Sequence, residues 1–110
     1  MAYDEELANR LRECLQGEAG VTEKRMFGGL AFLIDGNLAV SASGQGGLLL
    51  RADPARSQEL VAAPHVERAV MRGREMAGWL RVAPEAIRTS RQLTRWVRVG
   101  VCYARTLSAP

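Results

Sequence analysis

Two hydrophobic periods alternate along the chain. From Asp4 to Gln16 the apolar side chains Leu7, Ala8, Leu11, Cys14 and Leu15 recur at three- and four-residue spacing, which predicts a helix with one buried face. Asp4, Glu5 and Glu6 suit the positive end of its dipole, and Gly17 supplies a stop. Beyond Thr22 the pattern becomes strand-like. Lys24 to Ile34 reads as one strand, Asp35-Gly36-Asn37 as a hairpin turn that tolerates positive φ, and Leu38 to Ala42 as the returning strand. Ser43-Gly44-Gln45-Gly46-Gly47 is a tight connection into a third strand, Leu48 to Arg51. Asp53-Pro54 opens a short helix that ends before Pro64, with Asp53 as cap and Pro54 at the first helical position. Val66 to Met71 and Glu75 to Val82 read as two more strands around a Gly73-Arg74 turn, and Pro84 to Arg88 as a connection. The last helix is the clearest element. Thr89 and Gln92 form a capping box, and Leu93, Trp96, Val97, Gly100, Val101 and Ala104 form the buried stripe. Arg91, Arg95, Arg98 and Arg105 occupy the opposite face.

The predicted order is α-β-β-β-α-β-β-α. Strands joined by short turns make an antiparallel sheet, so the expected fold is α+β, a two-layer arrangement of a five-stranded antiparallel sheet with flanking helices, over residues 1–110 as one domain. The strands do not alternate as a sheet with one wet face should. Leu30, Phe32 and Ile34 point one way, yet Ala31 and Leu33 on the other side are also apolar, and Leu48-Leu49-Leu50 has no polar member. In the fifth strand Met76, Gly78, Leu80 and Val82 are expected on one face and Trp79 on the other. Helices on the first face would leave Leu33, Leu49 and Trp79 to be covered by something else, and an apolar patch of that kind marks an interaction surface. The expectation is a homodimer or a protein partner seated on the sheet, with helices split across both faces as the intramolecular alternative.

Composition narrows the class. Of 110 residues 47% are apolar and 25% charged, as in globular domains rather than disordered chains. No run approaches a membrane span, and the acidic start does not resemble a secretory signal, so a cytoplasmic protein with no membrane partner is expected. The net charge of +3 is unevenly spread. Residues 1–55 carry five basic and eight acidic side chains, residues 56–110 ten arginines and four glutamates, and after Glu85 come five arginines and no acid. That gradient can attract an anionic partner such as nucleic acid.

The residues offer little catalytic chemistry. Cys14 and Cys102 lie far apart and His65 is the single histidine, so neither a zinc site nor a Cys/His or Ser/His/Asp constellation is supported by spacing. The carboxylates form no defensible acid–base pair, and no metal, cofactor or catalytic residue is expected. The glycine-rich Ser43–Gly47 stretch lacks a following Lys and a following helix, which makes it a hairpin rather than a phosphate cradle. Met26 and Phe27 read as core. Gly28-Gly29 reads as a bulge or a close helix approach, or else as a point where a ligand or partner meets the backbone beside Arg25. Cys102 falls among Arg95, Arg98 and Arg105, where nearby cations favour a reactive thiolate if it is exposed.

Arg25-Met26-Phe27-Gly28-Gly29 before an apolar strand and the Asp35-Gly36 turn, then Arg72-Gly73-Arg74-Glu75-Met76-Ala77-Gly78-Trp79-Leu80, then Leu93 and Trp96-Val97 in the last helix, resemble the TfoX N-terminal domain family. That family takes its name from a bacterial regulator of natural competence. The resemblance spans roughly Leu7 to Ala104. It implies an antiparallel sheet flanked by helices in a bacterial cytoplasmic protein, and it supplies no active site. The longer competence regulators that resemble this chain add a second, helical domain, whereas this sequence ends at Pro110, so the expectation is a stand-alone N-terminal domain rather than a competence regulator. The expected function is a non-enzymatic regulatory or protein-interaction module, using Arg25, Gly28, Gly29, Leu33, Leu49 and Trp79. The alternatives are a nucleic-acid binder using Arg91, Arg95, Arg98 and Arg105, and a small-ligand binder near Gly28-Gly29.

Overall fold

A computed structural model describes residues 3–109. Helix α1 (Glu5–Cys14) leads into four consecutive strands, β1 (Val21–Met26), β2 (Gly29–Ile34), β3 (Asn37–Ala42) and β4 (Leu48–Arg51). A 3₁₀ turn (Pro54–Arg56) and the short α2 (Ser57–Leu60) follow, then β5 (Val66–Met71), β6 (Arg74–Val82), a second 3₁₀ turn (Pro84–Ala86) and α3 (Ser90–Thr106). The sheet order is β1-β2-β3-β4-β6-β5 and every pairing is antiparallel. The class is α+β as expected, but the sheet has six strands rather than five.

The extra strand comes from the Lys24–Ile34 run, which is two strands folded back on each other. Phe27 and Gly28, at φ 55° and 75°, are the central residues of a two-residue hairpin, and Met26 pairs with Gly29 across it. Both central residues at positive φ is what a type I′ turn requires. The same geometry recurs at Asp35-Gly36 (φ 50° and 88°) and at Arg72-Gly73 (φ 53° and 77°), so the last hairpin turns one residue earlier than the expected Gly73-Arg74. Gly29 is neither a bulge nor a site of helix approach: it lies in β2, and a Cβ there would strike the Ala42 carbonyl oxygen of β3.

The core lies between one face of the sheet and the helices. Leu30, Phe32, Ile34, Val40, Ala42, Leu48, Leu50, Leu80 and Val82 meet Leu7 and Leu11 of α1, Leu15 that caps it, and Leu93, Trp96, Val97, Val101 and Ala104 of α3. Gly100 permits that docking, because a Cβ would strike the Ala39 carbonyl oxygen of β3. The helix ends match the sequence. Asp4 accepts from the Glu6 and Leu7 amides at 2.9 and 3.2 Å, and Thr89 and Gln92 bond reciprocally at 3.1 and 2.9 Å. In β6 the expected common face of Met76, Gly78, Leu80 and Val82 breaks. Gly78 sits at φ 83° inside a register irregularity, so Leu80 and Val82 reach the core while Met76 is exposed.

The second face is not the bare apolar wall that its composition suggests. Across it Ala31 opposes Ser41, Ser41 opposes Leu49, and Leu49 opposes Arg81. Leu49 is only 2% exposed in the single chain. Ala31 and Ser41 are small, and the Arg81 guanidinium lies across the face to donate to Ser43 Oγ at 3.1 Å. Phe27, in the β1–β2 turn, and Trp79, on β6, reach toward each other over the intervening strands, with ring centroids 6.0 Å apart. With Leu49 buried within the single chain, no second polypeptide is needed to cover it.

Candidate functional site

Phe27 departs from the logic of its turn. The left-handed region costs an L-residue with a Cβ roughly 1–2 kcal/mol, and Asn, Asp and Gly are the residues that enter it readily. Asp35 follows that rule in the next hairpin; a bulky phenyl does not. Nor is the side chain buried in compensation, being 56% exposed. It rests edge-on against the half-buried Trp79, with ring planes at 76°. The Arg51 guanidinium lies 5.5 Å from the Trp79 ring and 5.7 Å from the Tyr103 ring of α3. Arg51 thus ties the last helix to a corner in which Phe27, Trp79, Arg51 and Tyr103 follow one another.

The structure gathers only part of the expected sheet surface at this corner. Gly28 belongs to the turn beside Phe27, and Trp79 to the corner itself. Leu33 is half-buried on β2, opposite Leu38, at the hairpin end away from Phe27. Leu49 is buried, paired with Ser41 and Arg81 on the second face, and Gly29 is buried in the sheet. Arg25 pairs with Leu30 on edge strand β1, which places it on the helix-bearing face rather than beside Trp79. Expected in the core, within a single Lys24–Ile34 strand, Phe27 lies instead in the turn that divides that run. The signal of that turn is Phe27-Gly28 itself, an X-Gly pair of the same kind as Asp35-Gly36.

The arginine face of α3 divides in two. Arg105 is engaged, with Nη2 2.8 Å from both Glu18 Oε1 and the Ala19 carbonyl oxygen and Nη1 3.4 Å from Asp35 Oδ2. Arg91, Arg95 and Arg98 are exposed and line a groove with Arg56, Ser90, Thr94, Val99 and Cys102. Arg56 was not foreseen, since it comes from the first 3₁₀ turn, far from α3 in sequence. Cys102 is exposed in this groove, while Cys14 is half-buried with Sγ 3.8 Å from Thr94 Oγ1. His65, exposed and at φ 64°, shares a hollow with Gln45, Glu67 and Arg81. Among the described residues no three His, Cys, Asp or Glu side chains are grouped to hold a metal ion, and no helix is long and apolar enough to cross a membrane.

The profile of the TfoX N-terminal domain matches residues 13–104, most of the chain. The chain belongs to the TfoX N-terminal domain family. No curated protein and no solved structure matches it. The TfoX N-terminal match takes in the Phe27–Trp79 corner and the groove-lining part of α3. The fold that the resemblance implied, an antiparallel sheet with flanking helices, is the fold observed.

Proposed function

We propose that this TfoX N-terminal domain is a non-enzymatic regulatory module that works by docking a protein partner on the corner formed by Phe27 and Trp79. Phe27 carries the reading. Folding alone favours Asn, Asp or Gly at its backbone conformation, and its exposure returns little burial energy. A large aromatic kept under those conditions is explained by contact with something outside the chain. The corner has the character of a binding anchor: Trp and Arg are hot-spot residues, and the neighbours that hold the rings limit the entropy lost on docking. The regulatory part of the reading comes from membership of the TfoX N-terminal domain family.

A second copy of the chain is the simplest partner, because a two-fold contact presents the same corner from both sides. Such a dimer uses the corner and not the Leu49 surface that composition pointed to. Photo-crosslinking from position 27, with position 70 as control, tests the proposal.

A further inference from the structure

We propose that the groove on the outer face of α3 binds the phosphate backbone of a nucleic-acid duplex, independently of the Phe27 corner. Arg91, Arg95 and Arg98 lie at i, i+4 and i+7 of one helix, a row about 10 Å long at 1.5 Å per residue. Arg56 faces them across the groove, which has a volume of about 720 Å³. Among the described residues none of the three helix arginines is paired with an acid, and Arg56 meets only Glu59 at 3.4 Å, with both side chains largely exposed. Glu18 lies in the adjoining hollow beside Arg98, but its carboxylate is held by Arg105 at 2.8 Å. The positive end of the helix dipole is at the Ser90 end.

The chemistry of the lining selects the anion. Guanidinium forks suit phosphate oxygens, and the hydroxyls of Ser90 and Thr94 add donors of the kind that contact nucleic-acid backbones. A duplex presents one charge per roughly 1.7 Å, so a repeating polyanion matches the length of the row. No aromatic ring lines the groove, and single strands depend on aromatic stacking for much of their binding. An acidic protein would lack an apolar pocket to anchor in, Val99 being the only large aliphatic residue among the groove's lining. The contacts are to backbone, so binding is independent of sequence.

The test measures the full chain against a labelled DNA duplex by fluorescence anisotropy. Three to four phosphate contacts predict that affinity falls about 40- to 150-fold between 50 and 200 mM salt. The double variant Arg91→Glu, Arg98→Glu is expected to lower affinity about tenfold or more at the lower salt. Arg72→Glu with Arg74→Glu makes the same change in net charge at the β5–β6 turn, outside the groove's lining, and is expected to lower it less than about threefold. If the α3 variant loses helical circular dichroism, Arg56→Glu, which leaves α3 untouched, is expected to weaken binding by about threefold or more. No binding at low salt, equal losses from the two double variants, no loss from Arg56→Glu where it is the readout, or equal displacement of the duplex by polyglutamate would each overturn the proposal.

Discussion

Phe27 and Phe32 are joined by one short run of chain and have opposite energetics. Phe32 is 1% exposed in the core, so Phe32→Ala is expected to destabilise by about 3–5 kcal/mol. Phe27 gains one edge-on ring contact at a mostly exposed site, worth about 0.5–1.5 kcal/mol, and loses roughly 1–2 kcal/mol to its backbone conformation. Phe27→Asn relieves the second while giving up the first. Urea denaturation is therefore expected to place it within about 1 kcal/mol of the parent. A loss of the Phe32 size would mean that Phe27 is a folding residue after all. The sequence does not separate the two by hydrophobicity, since that is the same for both. What differs is the following residue, glycine in one case and leucine in the other, which decides whether the backbone can turn.

Elements with a strong local signal were legible. The capping box of α3, its apolar stripe and the Asp35-Gly36 turn are set by residues close together in sequence, so spacing alone locates them. The division of the Lys24–Ile34 run and the shifted face of β6 were not, because one positive-φ turn and one bulge each reset the alternation on which strand faces are read. Gly100 brings a local and a tertiary effect into opposition. Helix propensity favours alanine by about 0.8–1.0 kcal/mol, but a Cβ meets the Ala39 carbonyl oxygen, and backbone gives way poorly. The clash is expected to win, so Gly100→Ala should lower stability by about 1–3 kcal/mol in the same denaturation experiment. A stabilised variant would show that α3 can slide on β3. Helix α1 is tied to edge strand β1 by a two-pronged Arg12–Glu23 pair at 2.7 and 2.8 Å, and the Arg12 hydrogen bonds hold the Glu23 carboxyl below its usual pKa. A depressed folded-state pKa gives stability that is complete above the unfolded value, about 4.3, and is lost as pH falls through the folded one. Glu23→Gln is accordingly expected to lose a small increment near neutral pH and to show a shallower fall in melting temperature on the acid side; an unchanged acid slope would mean that the exposed pair contributes nothing.

At the scale of the whole molecule, the apolar content of both sheet faces correctly signals that both are largely buried, but it does not reveal by what. Helices α1 and α3 cover one face; on the other, Ala31 and Ser41 are small and Arg81 reaches across to Ser43, and Leu49 is buried within the single chain. That burial depends on pairings across several strands, Ala31–Ser41–Leu49–Arg81, which nothing local in sequence encodes. The Phe27 corner is left as an aromatic surface whose Phe27 ring is largely exposed. Its most direct test is a photo-reactive phenylalanine analogue placed at position 27 or at position 70 of the full chain in its host cell. Val70 is a fair control because it is 55% exposed, close to the 56% of Phe27, and lies on β5, the edge strand at the other end of the sheet from β1. The account predicts a discrete crosslinked protein from position 27 that position 70 does not give, at twice the 12.0 kDa chain mass if the partner is a second copy. No product from position 27, or the same products from both positions, would contradict it.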